Sequence, residues 1–201
     1  MTSRRTIPSR VLPGLLALVA LTLRALDAAS GAEPWHLSDL MALMAEVPSS
    51  RETFTEKKYM DVLVEPIVLT GDLSYQRPDR LERHVRQPYE ERLIVEGDRL
   101  TLETLDGRRR IALRHHPVIW GFVESIRATL TGDEATLRKI YEAKLEGSRG
   151  QWRLTLRPKD PQLAEYVTSI EIDGAGNRIG RVETREADGD RSVMTIGERP
   201  S

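Results

Sequence analysis

After residue 50 the chain is punctuated at short intervals by turn residues, and between them lie runs with strand character. This recurrence most limits what the chain can become. Arg51–Val64 is the first run. Pro66–Gln76 follows, with Ile67, Leu69, Gly71, Leu73 and Tyr75 on one face at the two-residue period of a strand. Pro78-Asp79 turns the chain into Arg80–Arg86, and Gln87-Pro88 turns it again. Glu91–Glu96 and Arg99–Leu105 meet at Gly97-Asp98, and Asp106-Gly107 leads into Arg108–Arg114; both dipeptides are tight hairpin signals. These segments predict six antiparallel strands in a meander.

Helical spacing appears in two places. Leu37, Leu40, Met41, Met44 and Val47 form one apolar stripe ahead of the strands, ended by Pro48. His115-His116-Pro117 breaks the sheet, and Ile119, Phe122, Val123, Ile126 and Leu130 then repeat the helical spacing. Thr131-Gly132-Asp133 punctuates, and Glu134–Tyr141 reads as a further short helix. Strands return at about 140–147 and 151–158, with a loop at Asp160-Pro161. Val167–Asp173, Arg178–Glu186 and Arg191–Ile196 close the chain. The fold class expected is mainly β (α+β), with about eleven antiparallel strands. A sheet of that size must curl or close to protect its edges, and its concave side is where apolar helices bury both surfaces.

Residues 1–32 read as a cleavable export signal. Arg4, Arg5 and Arg10 precede an apolar run from Val11 through Leu23, and Ser30 and Ala32 give the small-x-small pattern before Glu33. The run is too short for a membrane-spanning helix, which needs about twenty apolar residues. Ser3-Arg4-Arg5-Thr6-Ile7 also resembles a twin-arginine start, but no cofactor motif gives the chain a reason to fold before export, so the general secretory route is expected. Residues 33–201 suit a single domain. The whole chain carries a net charge of −1, and the mature part, without Arg4, Arg5, Arg10, Arg24 and Asp27, carries about −4. No basic excess points to nucleic acid. Cysteine is absent, which excludes disulfides, thiolate metal sites, a cysteine nucleophile and a lipidated cysteine anchor. The expected product is soluble.

No enzyme constellation is found. His36, His84, His115 and His116 show no ligand spacing, so no metal is expected. No Gly-x-Ser-x-Gly elbow or phosphate loop occurs, and Gly174-Ala175-Gly176 lies between strands as a turn. The acidic and basic residues alternate as solvated strand faces. What stands out is apolar surplus on short helices: Met41, Met44, Trp120 and Phe122. Such side chains either adapt to an irregular ligand or form ordinary core under a sheet.

The stretch from Phe54 to Asp98 adds a resemblance. Phe54-Thr55-Glu56-Lys57, Thr70-Gly71-Asp72-Leu73-Ser74-Tyr75, Arg77-Pro78-Asp79-Arg80-Leu81-Glu82, Gln87-Pro88 and Leu93-Ile94-Val95-Glu96-Gly97-Asp98 follow one another in order. This set resembles the LolA-like periplasmic outer-membrane lipoprotein carriers, over nearly all of residues 35–197. The chain departs from that pattern at Glu56, where glutamine is usual, and at Glu82-Arg83, where an aromatic often follows the turn. It also stops soon after Ile196, without the C-terminal loop and extra strand of the best-known carriers.

The resemblance implies a half-open β-barrel with a helical lid and acyl chains held between the two. Arg77 is implied to bond backbone carbonyls of the lid and hold the empty form shut. Leu40, Met41, Met44, Leu69, Leu73, Tyr75, Ile119, Trp120, Phe122, Val123 and Ile126 are the expected lining of cavity and lid. The implied role is that of a monomeric periplasmic shuttle without cofactor. It would touch membranes only transiently, taking acylated cargo (a lipoprotein or a glycolipid) from an inner-membrane transporter to an outer-membrane acceptor. The alternative is a periplasmic sensor or protein-interaction domain of the same fold that detects mislocalised lipids or proteins.

Overall fold

A computed structural model describes residues 35–197; the export signal expected at residues 1–32 lies outside them. Helix α1 (Leu37–Ala45) comes first, then strands β1 (Ser49–Tyr59), β2 (Ile67–Gln76), β3 (Arg80–Gln87), β4 (Glu91–Glu96), β5 (Arg99–Thr104) and β6 (Gly107–Ala112). A 3-10 turn at Leu113–His115 leads into α2 (Pro117–Thr131) and α3 (Glu134–Ile140). Strands β7 (Tyr141–Ser148) and β8 (Gln151–Pro158), the short helix α4 (Pro161–Ala164), and β9 (Val167–Ala175), β10 (Arg178–Glu186) and β11 (Arg191–Ile196) complete the order.

All eleven strands belong to one sheet, ordered β6-β5-β4-β3-β2-β1-β11-β10-β9-β8-β7, and every neighbour pair is antiparallel. The chain starts at the centre and meanders out to the β6 edge. The helices carry it across to the β7 edge, and it meanders back until β11 pairs with β1, from Phe54–Ile196 to Tyr59–Arg191. This is the half-open antiparallel barrel with helices anticipated from the sequence.

Helix α2 shows that the sheet curls. Its Val118, Phe122 and Leu130 pack in a cluster with Trp152, Leu154, Leu156, Ile170 and Ile172 from the late strands. Its Ile119 and Val123 pack with Val95 and Leu100 from the early strands. One helix touches both wings only if the sheet wraps around it. A third cluster, Phe54, Leu69 and Val85, lies on the same inner face near the centre.

The local chemistry explains where elements end. Gly132 caps α2 at φ 75°. Its N–H bonds Thr129 O, and the N–H of Asp133 bonds Ala128 O, which satisfies two end carbonyls. A Cβ at Gly132 would lie 2.2 Å from Met41 O, so the position also lets α1 and α2 approach closely. Asp133 caps α3 by accepting from Thr136 N at 2.9 Å. Most boundaries shift from the sequence reading by a residue or two, and two differ more. Strand β1 ends at Tyr59 rather than Val64, because β2 pairs back from Ile67 against Lys58, and Met60–Pro66 is the loop between them. Asp160-Pro161 opens α4 rather than a plain loop: Asp160 accepts from Gln162 N, and Pro161 takes a first-turn position where no N–H is needed.

Candidate functional site

Along β2 the residues Leu69, Gly71, Leu73 and Tyr75 face inward, and two residues beyond Tyr75 the chain reaches Arg77 in the β2–β3 turn. The alternation aims Arg77 toward the helices. Its Nε donates to Val47 O at 3.2 Å, and its Nη2 donates to Ala45 O at 2.5 Å and Thr131 O at 3.2 Å. Ala45 and Thr131 are the last residues of α1 and α2. The final carbonyls of a helix have no partner within it. Leu43 O takes the N–H of Glu46, and Met44 O takes that of Val47. Ala45 and Thr131 are left, and one guanidinium takes both. Its positive charge also lies at the favourable, negative ends of both helix dipoles. The Arg77 backbone N–H bonds Pro48 O, which ties the same turn to the end of α1.

Arg77 is exposed rather than sunk in an apolar cup. The donors are paired at the rim, in reach of water. Beneath it Tyr75 is buried, and that burial pushes its phenol pKa up, while the nearby charge of Arg77 pulls the other way.

The other predicted residues fall into separate groups. Leu40, Met41, Met44 and Phe122 belong to the cluster on the late strands. Ile119 and Val123 belong to the early-strand cluster. Leu69 and Leu73 belong to the central one. Trp120 and Ile126 face outward, at 37% and 39% exposure. Two clefts stand out among the described residues. One of about 840 Å³ runs beside Trp152, Ile179 and Arg178; the other, about 410 Å³, lies beside Arg99 and Arg110. None of the twelve residues lines either. In this conformation the side chains of α1 and α2 fill the inner face, so Met41 and Met44 act here as core.

A charged group on the inner face was not anticipated. Arg83 of β3 donates to the buried carboxylate of Glu56 on β1 and to Glu91 Oε1 on β4 at 3.2 Å, and stacks over the Phe54 ring at 5.1 Å. Register places Arg83 beside Leu73 and Leu93, on the inward face. The signal was present in the alternation, since Phe54 and Glu56 share a face of β1. Among the described residues, no group of three His, Asp or Glu is placed to hold a metal, and no helix is long and apolar enough to cross a membrane.

An open antiparallel sheet curled around helices, with one arginine tying two helix ends to a hairpin turn, defines the class: a half-barrel with a helical cover. The sequence profile described as outer membrane lipoprotein carrier protein LolA-like matches residues 29–198, and the chain belongs to that family. An outer-membrane lipoprotein carrier protein from Methylibium petroleiphilum is 28% identical over 174 residues, covering 85% of this chain and 81% of that one. One from Halorhodospira halophila is 27% identical, covering 85% and 82%. A solved LolA superfamily protein from Nitrosomonas europaea aligns over 84% of this chain and 96% of its own, at 9% identity and a TM-score of 0.44.

Proposed function

We propose that the chain is a periplasmic carrier, a binding protein rather than an enzyme. It takes the acyl chains of a lipoprotein or another acylated molecule under its helices and passes them from an inner-membrane transporter to an outer-membrane acceptor. The observation that carries this reading is the Arg77 contact. Helices α1 and α2 rest on the sheet through apolar packing, which cargo of the same character can replace. Their ends are held by one exposed side chain, which can let go without burying a charge. Membership of the family and the names of the relatives support the same reading.

The energetics suit a shuttle. Burial of apolar carbon contributes about 0.8 kcal/mol per methylene, so an acyl chain of about fourteen carbons contributes about 10 kcal/mol before losses. That holds cargo in water. It also means release needs an acceptor offering comparable apolar surface. Arg77 and the inner-face residues Leu69, Leu73, Met41, Met44, Phe122 and Val123 are the groups assigned to cargo. Native mass spectrometry of protein purified from its own periplasm tests the reading, together with titration of a fluorescent fatty acid. Bound lipid and saturable uptake are expected; their joint absence sinks the proposal.

A further inference from the structure

The two ends of the sheet differ in chemistry. At the end carrying Arg77, the turns are 77–79, 97–98, 149–150 and 176–177; they hold Arg77, Asp79, Asp98 and Arg149 and no large apolar residue. At the opposite end the hairpin loops are 60–66, 88–90, 105–106 and 187–190, and the β8–β9 connection 159–166 lies beside them. The hairpin loops hold six carboxylates, Asp61, Glu65, Glu90, Asp106, Asp188 and Asp190, and no lysine or arginine; the connection adds Asp160, Glu165 and Lys159, whose ammonium donates to Arg138 O. The hairpin loops also hold exposed apolar side chains: Val62 at 83%, Val64 at 104% and Leu105 at 87%, with Leu63 and Tyr89 nearer half. Part of the rim is tied together: Asp61 N bonds Asp190 Oδ1, and the 187–190 turn reaches Tyr166, itself exposed, through Ala187 N.

Exposed apolar tips at successive hairpins are costly in water and prone to association, so they need a reason. From this we infer that the rim is a docking surface for a protein segment with apolar side chains flanked by lysine or arginine. Charge selects among the occupants. A second copy would bring the same six carboxylates against these, and an anionic bilayer would be repelled in the same way. Burial pushes the Glu186 carboxyl pKa up, and Asp188 and Asp190 add to the rise while Lys58 opposes it. A basic segment offsets the negative charge of the rim while covering the tips. Spacing fits as well. The β1–β2, β3–β4 and β5–β6 loops lie two strands apart, or about 10 Å, which is about seven residues along a helix. The inference is independent of cargo binding, which concerns the inner face.

Nuclear magnetic resonance of the isotope-labelled chain tests it. The probe is a leucine–lysine amphipathic helical peptide, with a leucine–glutamate peptide and a serine–lysine peptide as controls. Shifts are expected at residues 60–66, 88–90 and 105–106 with the leucine–lysine peptide. Binding should be at least about tenfold weaker for both controls and should weaken as salt is raised. Combining Val64→Ser with Leu105→Ser should weaken binding by a similar factor, with circular dichroism and fatty-acid uptake unchanged. No binding, equal binding of the peptides, shifts centred on α2 or the inner face, or stronger binding to phosphatidylglycerol vesicles would overturn the inference.

Discussion

Replacing Arg77 by Gln should free the ends of α1 and α2 without unfolding the sheet. The side chain makes three hydrogen bonds to carbonyls. A hydrogen bond contributes about 0.5–1.5 kcal/mol net, and a cation at a helix C-terminus about 0.3–1 kcal/mol. Arg77 is exposed, so water takes over the abandoned carbonyls and the low half of each range applies. The loss comes to about 2–3 kcal/mol, or roughly 30- to 150-fold in an opening equilibrium. Native-state hydrogen exchange reads this directly. Amides of α1 and of the last turn of α2 should exchange faster by that factor, while those of Leu154 and Leu156 on β8 keep their rates. Fatty-acid uptake should quicken in parallel. Lysine at the same position has one ammonium where the guanidinium has a fork, and should recover only part of the protection. If exchange in α1 is unchanged, Arg77 ties nothing. If every amide accelerates alike, the residue supports the whole fold and the local account fails.

Three further perturbations have definite outcomes. Arg83→Met strands the buried Glu56 carboxylate and should cost about 3–5 kcal/mol in urea unfolding, whereas adding Glu56→Met should recover most of it. Gly132→Ala forces a left-handed φ on a residue with a Cβ, at about 1–2 kcal/mol for the backbone alone, and presses on Met41 O; its Tm should fall clearly. Glu186→Gln should raise the Tm near pH 7 and leave it nearly unchanged near pH 3. The carboxyl's pKa is raised above its ordinary 4.5 in the fold, chiefly by burial, so stability tied to its protonation is present below 4.5 and lost as pH climbs through the raised value.

Much of the fold was legible because it rests on local signals. The strand alternation in β2, the hairpin dipeptides Gly97-Asp98 and Asp106-Gly107, and the α1 stripe each follow from residues close in sequence. The end of β1 was not legible. Val62-Leu63-Val64 has strand composition, but β2 pairs back at Lys58, and pairing rather than propensity decides the boundary. The distribution of the apolar residues was equally hidden. Helical spacing shows that Phe122 and Val123 lie on the buried side of α2. Only the curl of the sheet sends one to the late strands and the other to the early ones.

The same limit applies to two residues among the departures from the family pattern, Glu56 and Arg83. Read along the chain they are unrelated, one in β1 and the other 27 residues further on in β3. Across the sheet they are partners: the carboxylate is buried, and the guanidinium reaches it over the Phe54 ring. Either charge alone on an inward face would carry a heavy desolvation cost, so each requires the other. The pair interrupts the apolar inner surface between the central cluster and the early strands. On the proposed carrier reading, it bounds how far an acyl chain lying along that face would run before it meets charge. Removing both charges together should lengthen the continuous apolar surface, and a shift in uptake toward longer fatty acids would measure it.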